Sequence, residues 1–280
     1  MALLCHPHRL EDNLNALAFL PLHCNTRILL DPTHCPWYPL YPLLAFYLTG
    51  TEAADLETAK QCLYSMDRES HILLTAQNQH QLDALLPFTH QLILDDLSLW
   101  EPCGTQAATQ GIPCTLNLTL DQPYEPLPQG ITGLRLRLTD PTDLDELDAA
   151  LTTVETTWAD AFPQLIRLHL GGPFPLLRPE FDLVRLTDLI QTFRTHHPLT
   201  LELTVGETLF GGALTPLPYD PGMEFPPDKP TYTPAPQMHL YPSCTFNHAF
   251  SKSPGLSLTQ SGNHGKITMS YQSICEVFRL

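Results

Sequence analysis

Hydrophobic positions follow two patterns along most of the chain, one with a period of two residues and one with helical spacing. The clearest example begins at residues 166–170, where apolar and polar side chains alternate as in a half-buried strand. Gly171 and Gly172 end this strand with a turn. Asp182, a favoured N-cap residue, then precedes residues 183–193, whose apolar positions recur at helical spacing. This run predicts a strand, a glycine turn and a helix, which together form one βα unit.

Similar alternation or short apolar runs elsewhere in the chain bring the number of predicted strands to eight. They are residues 27–30, 51–54, 71–75, 91–94, 115–120, 133–139, 166–170 and 199–204. Segments with helical spacing separate most of them and lie at residues 8–20, 39–48, 55–66, 79–86, 143–158 and 183–193. Eight βα steps are typical of a (β/α)8 TIM barrel, so we predict an α/β protein with this fold. The alternative is an open doubly wound sheet, which normally has fewer strands and a glycine-rich first turn that this sequence lacks.

The pattern weakens after residue 214, where proline becomes frequent. The chain contains 28 prolines in 280 residues, and they are concentrated at residues 123–128 and 216–236. A proline-rich segment without periodicity is typical of a linker. We therefore predict a barrel domain over residues 1–214, a proline-rich linker over 215–237 and a separate C-terminal segment over 238–280. This last segment is expected to be short and either β-rich or irregular.

The charge of the chain narrows its possible partners. It has 14 Lys and Arg residues against 30 Asp and Glu residues, which gives a formal net charge of −16. This charge opposes binding to nucleic acid or to an anionic membrane surface. The N-terminus has no signal-peptide pattern, no apolar run is long enough to cross a bilayer, and the eight cysteines form no CxxC pair. We expect a cytoplasmic protein with reduced thiols and with neither a nucleic-acid nor a membrane partner.

The later predicted strands carry polar residues on the face opposite their apolar one. These polar residues are Asn117, Thr119, Arg135, Arg137, Arg167, His169, Glu202 and Thr204. In a barrel the apolar face would pack on the helices and the polar face would point into the lumen. Three arginines with one glutamate predict a positive pocket, because buried charges must be paired or must bind an anion. Two interpretations remain open, namely a structural network of salt bridges and an anion-binding site.

Cysteine and histidine residues are frequent near the N-terminus. Cys5, His23, Cys24, His34 and Cys35 carry thiol and imidazole groups, which are common ligands of zinc and copper. Their spacing matches no standard zinc finger, and adjacent Cys-His side chains on a strand point to opposite faces. A metal site is therefore one hypothesis, and ordinary packing is the alternative.

Four segments resemble the carboxynorspermidine decarboxylase family. They are LHLGGPFPLLRPEFDLVRLTDLIQTF, RILLDPTHCPWYPLYPLLAFYLTGTEAADLETAK, ILDDLSLWE and VGETLFGGAL, within a similarity that extends from about Leu4 to Leu214. The family belongs to the alanine-racemase-like, fold-III group of pyridoxal-phosphate (PLP) decarboxylases. The resemblance implies a barrel that holds PLP, a β domain after it, and active sites formed between the two subunits of a dimer.

The resemblance also places the family's catalytic positions on this chain, where each residue is replaced. The lysine that forms the Schiff base falls at Thr33, the histidine that stacks on the cofactor ring falls at Arg137, and the glutamate that faces the pyridine nitrogen falls at Thr204. The glycine triplet that binds the phosphate reads Gly-Gly-Pro at residues 171–173, which removes one backbone donor. Cys244 loosely matches a family cysteine that reaches into the neighbouring subunit's site. We expect no PLP cofactor and assign no catalytic residue.

Three functional hypotheses follow. The first is a catalytically degenerate relative of a polyamine-pathway decarboxylase that acts as a binding or regulatory partner, as a homodimer or as a heterodimer with an active homologue. The second is an enzyme with altered chemistry on a small anionic molecule in an arginine-lined barrel mouth. The residues that would line this site are Arg135, Arg137, Arg167, His169, Gly171, Gly172, Glu202, Gly206 and Glu207. The third is a metal-binding protein.

Overall fold

The computed structural model describes residues 3–35, 37–119, 126–159 and 162–216, together with four short strands within residues 238–275. The chain forms two compact units, one of Met1–Asn15 with Phe210–Leu280 and one of Ala16–Leu209. The domain boundaries predicted from the sequence stay a prediction. Cys244 and residues 217–237 of the predicted linker lie outside the described residues.

The described elements have the following bounds. The strands are β1 (Leu3–Cys5), β2 (Thr26–Leu30), β3 (Gly50–Ala53), β4 (Glu69–Leu74), β5 (Gln91–Leu94), β6 (Cys114–Leu118), β7 (Ile131–Leu136), β8 (Arg167–His169), β9 (Thr200–Val205), β10 (Leu214–Pro216), β11 (Met238–His239), β12 (Ser257–Ser261), β13 (Lys266–Tyr271) and β14 (Ile274–Cys275). The α-helices are α1 (Pro7–Leu17), α2 (Phe19–Cys24), α3 (Tyr41–Leu44), α4 (Leu56–Met66), α5 (Leu82–Leu85), α6 (Thr105–Thr109), α7 (Leu144–Thr153) and α8 (Leu183–His196).

Strands β2 to β9 form a closed barrel in which every strand is parallel to its two neighbours. Closure occurs where β2 pairs with β9, in a register that runs from Thr26 opposite Leu201 to Leu30 opposite Val205. The prediction of a (β/α)8 barrel is confirmed, and the open-sheet alternative is wrong because the sheet has no free edge. The eight predicted strands are all present, with ends that differ by up to three residues.

Three of the longer helices, α4, α7 and α8, begin after acidic N-caps. The side chain of Asp182 accepts a hydrogen bond of 2.9 Å from the Arg185 N–H at the start of α8, as predicted. Asp143 caps α7 in the same way. The predicted helix over residues 143–158 is α-helical only to Thr153, and a π-helical segment, Val154–Ala159, continues it.

The apolar positions pack as a parallel barrel requires. All four residues of β5 are buried, which is typical of a parallel strand whose two faces are both covered. On α8 the predicted apolar stripe buries Leu186, Ile190 and Phe193. None of the helices in the described ranges combines the length and apolar character needed to cross a bilayer.

The smaller unit contains two short sheets. Strand β1 pairs antiparallel with β10 and parallel with β11. Strands β12, β13 and β14 form an antiparallel sheet in that order. These strands agree with the prediction that the C-terminal segment is β-rich.

Candidate functional site

Polar side chains fill the barrel lumen in two groups, because alternate residues of each strand point inward. The upper cluster lies towards the carboxyl ends of the strands and consists of Glu52, Asp95, Asn117, Arg135, Arg137, His169 and Thr204. The lower cluster lies towards their amino ends and consists of Arg27, Glu69, His71, Arg167 and Glu202. Active sites of TIM barrels form at the carboxyl ends, so the upper cluster marks the candidate site.

Arg135 and Glu52 form the centre of the upper cluster. Arg135 Nη2 donates to Glu52 Oε1 at 2.7 Å and Arg135 Nε donates to Oε2 at 3.2 Å. Arg135 Nη1 also donates to Asn117 Oδ1 at 3.1 Å. A bidentate pair of this kind holds both side chains in a fixed orientation. The guanidinium of Arg135 is therefore already bound by groups of the barrel.

His169 connects the glycine turn to the same carboxylate. Its Nδ1 accepts the N–H of Gly171 at 2.9 Å, which assigns the ring proton to Nε2. Nε2 lies 3.1 Å from Thr204 Oγ1, and this hydroxyl donates to Glu52 Oε2 at 3.0 Å. Burial, reinforced by the nearby positive charge of Arg135, holds the pKa of His169 well below its ordinary value. His169 is thus a neutral positioning group for Thr204 and Glu52.

Arg137 is the most exposed of the arginines in the lumen. The sequence pattern had predicted Arg137 within the strand, but in the structure it follows Leu136, the last residue of β7. Its Nη2 pairs with Asp95 Oδ1, and Asn117 Nδ2 donates to the same carboxylate oxygen at 3.1 Å. The Arg137 side chain is 45% exposed, so it is accessible from the solvent at the barrel mouth.

In the lower cluster two arginines contact one buried carboxylate. Arg27 Nη1 lies 2.9 Å from Glu202 Oε1, and Arg167 Nε lies 3.6 Å from the same atom. Glu202 is fully buried, yet neither contact has the alignment of a hydrogen bond. Arg27 also pairs with Glu69, which begins β4. In the amino-terminal half of the lumen, electrostatic attraction between these side chains therefore contributes more than aligned hydrogen bonds.

The lumen does not have the excess of positive charge that three arginines and one glutamate predicted. It contains four guanidinium groups and four carboxylates, on Arg27, Arg135, Arg137 and Arg167 and on Glu52, Glu69, Asp95 and Glu202. Glu52, Glu69 and Asp95 come from the earlier part of the barrel, whose strands show no marked polar alternation. Barrel closure brings these acids against arginines far away in the sequence.

The candidate metal ligands are not brought together. The His23 ring lies against the ring of Phe19 at 4.2 Å, and His34 Nδ1 lies 2.7 Å from Asp31 Oδ2. Cys24 and Cys35 are buried, and the side chain of Cys5 lies outside the described residues. Among the side chains that the structure describes, no group of three His, Cys, Asp or Glu residues is arranged to hold a metal ion.

Neither a protein-family profile nor a curated protein sequence matches the chain. Solved structures do match it. Carboxynorspermidine decarboxylase from Campylobacter jejuni, complexed with norspermidine, is 19% identical with a TM-score of 0.64, and the match covers 76% of this chain and 61% of that one. Lysine/ornithine decarboxylase from Vibrio vulnificus, complexed with cadaverine, is 14% identical with a TM-score of 0.59 and coverages of 76% and 63%. SrLDC in complex with PLP and cadaverine is 14% identical with a TM-score of 0.54 and coverages of 76% and 62%.

The chain has the barrel fold of these decarboxylases. The matches span 61 to 63% of the length of the three solved chains, and their identity with this chain is low. The similarity therefore establishes the fold, and the activity of this chain must be argued from its own residues.

The lysine content of the described barrel does not fit PLP. Within the described residues of the barrel unit, the only lysine is Lys60, which lies on α4 outside the lumen with Nζ 5.6 Å from the centre of the Phe88 ring. At the position implied for the Schiff base, Thr33 is exposed and its N–H donates to Asp31 Oδ1 at 2.8 Å. Schiff-base chemistry requires an amine, and this position has none.

The turn after β8 does not fit the cofactor phosphate either. The N–H of Gly171 donates to His169 Nδ1, and that of Phe174 donates to Thr204 O at 2.8 Å. Pro173 has no N–H to offer. Gly171 and Gly172 have φ of 86° and 131°, and a Cβ at Gly172 would lie 2.4 Å from Thr204 O. Gly172 is therefore required by the close approach of the turn to β9, and Gly171 by the carbonyl of Leu136 on β7, which a Cβ would approach to 2.5 Å. Both requirements hold whether or not an anion binds.

Of the remaining predicted residues, Gly206 and Glu207 follow β9, and Arg167 and Glu202 lie in the lower cluster. Gly206 follows β9, and a Cβ at this position would lie 3.0 Å from Pro173 Cβ and 3.8 Å from His34 Cβ. Glu207 is exposed and begins a 3₁₀ helix. Arg167 and Glu202 belong to the lower cluster and are not part of the mouth. The prediction missed the Asp31–His34 pair, although the spacing of three residues directly after a strand was a usable signal.

Proposed function

We propose that this chain is a decarboxylase-like barrel that has lost PLP-dependent catalysis and acts as a binding or regulatory partner. The observation that carries the proposal is the replacement of the Schiff-base lysine, with Thr33 at the implied position and no lumen lysine among the described barrel residues. A barrel of this fold needs an amine at that place for PLP chemistry. The N–H groups of Gly171 and Phe174, which already donate to His169 and Thr204, support the same conclusion.

The upper cluster explains how a barrel without a cofactor stays stable. Buried charges are costly unless they are paired, and here Arg135 is paired with Glu52 and Asn117. Thr204 replaces the implied acid at the ring nitrogen and bonds to Glu52 within the lumen. The side chains of the chain itself therefore satisfy one another where a cofactor would otherwise be expected.

Loss of PLP binding can be tested directly. The purified full chain is incubated with PLP and its absorbance is recorded; the sample is then reduced with borohydride and examined by peptide mass spectrometry, with C. jejuni carboxynorspermidine decarboxylase treated in parallel. We expect no Schiff-base band and no single modified lysine in this chain. A stoichiometric adduct that disappears on substitution of one lysine contradicts the proposal.

The variant Thr33→Lys separates the contribution of the lysine from that of the turn. It supplies an amine at the implied position but leaves Pro173 and the donors of the turn unchanged. We expect at most weak, substoichiometric Schiff-base formation. If this variant binds PLP as tightly as an active decarboxylase, the altered turn did not contribute to the loss of PLP binding.

The role as a partner rests on the dimeric sites that the resemblance implies. We propose that the chain pairs with an active decarboxylase of the same fold, or with a second copy of itself. Light scattering distinguishes these two pairings when it is applied to the chain alone and to a mixture of the chain with such a decarboxylase. The regulatory form of the proposal predicts a mixed complex and a changed decarboxylation rate, and the absence of both contradicts it.

The exposure of Arg137 supports a second candidate, the binding of a small anionic molecule at the mouth. Arg185 offers a matched control, because it is similarly exposed and also pairs with an aspartate, Asp145. In a calorimetric screen of phosphorylated and carboxylated metabolites, Arg137→Ala should abolish any binding and Arg185→Ala should preserve it. Equal effects of the two substitutions contradict a specific site.

A further inference from the structure

A carboxylate and an imidazole are paired directly after the first barrel strand. Strand β2 ends at Leu30, and the pair consists of Asp31 Oδ2 and His34 Nδ1, which lie 2.7 Å apart. This places the pair at the carboxyl ends of the strands, where TIM barrels form their active sites. Neither residue belongs to the upper or the lower cluster, so the pair has a contact geometry without an assigned role.

The Asp31 side chain is held in a fixed orientation. Its Oδ1 accepts the N–H of Thr33 at 2.8 Å, and the backbone N–H of Asp31 donates to Val205 O at 2.9 Å. The side chain is 18% exposed. Because both carboxylate oxygens and the backbone are engaged, Asp31 can orient the ring of His34 in the way that a third group orients the base of an active site.

The second ring nitrogen of His34 is accessible. A carboxylate can only accept, so the proton of the neutral ring is on Nδ1 and the lone pair is on Nε2. Among the residues that the structure describes, none forms a hydrogen bond with Nε2. The His34 side chain is 54% exposed. Nε2 is therefore a proton acceptor that solvent water can reach.

The loop that carries the pair packs against the other loops of the mouth. A Cβ at Gly206 would lie 3.8 Å from His34 Cβ and 3.0 Å from Pro173 Cβ. Burial of the neighbouring Cys35 thiol raises its pKa, and the carboxylates of Asp31 and Glu207 act in the same direction. A buried thiol of this kind is a poor nucleophile, so the imidazole is the reactive group of this loop.

A second carboxylate–imidazole pair lies away from the mouth. His196 Nδ1 is 3.0 Å from Glu155 Oε1, and the His196 side chain is 59% exposed. His196 is the last residue of α8, and each helix of such a barrel runs back from the carboxyl to the amino ends of the strands. This pair therefore matches the first in contact and exposure but not in location, which makes it an internal control.

We propose that Asp31 and His34 form a proton-transfer dyad that hydrolyses small carboxylic esters at the barrel mouth without PLP. His34 is the catalytic base and Asp31 is its positioning residue. Nε2 takes a proton from water while the water oxygen forms a bond to the ester carbonyl carbon. The bond from this carbon to the alcohol oxygen then breaks, and the alcohol takes the proton from Nε2. The products are one acid and one alcohol, and the dyad returns to its initial state.

The expected acceleration indicates the substrate class. A single positioned base contributes roughly 10²- to 10⁴-fold to a rate. Esters are reactive enough for such a factor to give measurable turnover, whereas amides are less reactive and phosphate monoesters are among the slowest compounds to hydrolyse. The reaction uses only the side chains of the loop after β2, so it is independent of the proposed role as a partner.

The test is hydrolysis of phenyl acetate by the full chain without PLP, in mildly alkaline buffer in which an imidazole is largely uncharged. We expect His34→Ala to lower kcat/KM by at least about 100-fold and the wild-type reaction to be slower in heavy water, because a proton moves in the transition state. His196→Ala is the matched control and should leave the rate unchanged. A wild-type rate no higher than that of free imidazole at the same concentration, or an unchanged rate in His34→Ala, overturns the proposal.

Mass spectrometry of the quenched reaction tests the role of the base. We expect unmodified His34, since water and not the ring attacks the ester. An acetyl group on His34 overturns the assignment of this residue as a base. A PLP adduct in the borohydride experiment would contradict the loss of PLP binding without altering either of these results.

Asp31→Asn tests the positioning role. The amide can still accept the Thr33 N–H, but it has no charge to orient the ring and to stabilise the proton that the ring receives. We expect kcat to fall while KM and the thermal midpoint stay unchanged. A merely structural role would lower the thermal midpoint and leave kcat as it is, and that outcome overturns the assignment of Asp31 to the dyad.

Discussion

The two polar clusters of the lumen contain the same kinds of residues but are built differently. In the upper cluster, directional hydrogen bonds satisfy each side chain, as in the bidentate pair of Arg135 with Glu52. In the lower cluster, Glu202 is fully buried and faces Arg27 and Arg167 without an aligned hydrogen bond. The comparison predicts that losing a side chain of the lower cluster costs more stability than losing one of the upper cluster, where Arg137 and Asp95 are open to solvent.

The largest effect is expected for Glu202→Ala in the lower cluster. Removing this carboxylate leaves two mostly buried guanidinium groups without their shared partner, which costs roughly 3 to 5 kcal/mol when such a pair is broken. Urea denaturation of the two proteins measures the loss. Asp145→Ala is the control, since its pair with Arg185 is exposed and exposed ion pairs contribute little to stability. Equal losses in the two variants would remove the distinction between buried and exposed pairs.

A smaller loss is expected for Glu52→Gln in the upper cluster. The amide keeps the shape of the side chain but removes the charge that Arg135 contacts. A hydrogen bond to a charged group contributes about 1.5 to 3 kcal/mol, so the loss should be about 2 kcal/mol in the same denaturation experiment. A loss as large as that of Glu202→Ala contradicts the proposed difference between the clusters.

Acid should weaken the lower cluster through Glu69. The pKa of this carboxyl is lowered to about 2 in the folded protein, so its ionised form stabilises the fold. This contribution is complete above the ordinary carboxyl value and is lost as the pH falls from about 4.5 towards 2. The unfolding midpoint should therefore fall more steeply in this range for the wild type than for Glu69→Gln. Parallel curves would show that Glu69 has no such role.

The smallest effect on stability is expected for Arg137→Ala at the mouth. Its side chain is partly exposed and its ion pair with Asp95 is open to solvent, so the substitution should cost below about 1 kcal/mol. The change in thermal midpoint should match that of Arg185→Ala within error. A substantially larger loss for Arg137→Ala would show that the mouth is a structural element and not an accessible site.

Much of the fold could be predicted because it depends on local patterns. Alternating or short apolar runs located all eight barrel strands, and Asp182 marked the start of α8. The end of α7 was not predicted, because apolar spacing continues through residues 154–158 while the backbone changes to π-helical hydrogen bonding.

The candidate site could be predicted only in part. The polar faces of the later strands correctly placed Arg135, Arg167 and His169 in the lumen. Their partners could not be found in this way, since Glu52 lies 83 residues from Arg135 in the sequence. Only the register of a closed barrel brings such residues together.

The sequence by itself determined the barrel and the N-caps, since these depend on residue identity and short spacing, and the family resemblance implied Thr33 at the position of the Schiff-base lysine. The tertiary structure decided which charged and polar groups contact one another. It brought four carboxylates against four arginines, committed the Gly171 N–H to His169 and set His71 between two acids. The physical reason is that electrostatic contacts depend on distances across the lumen, and barrel closure sets these distances for residues that are far apart along the chain.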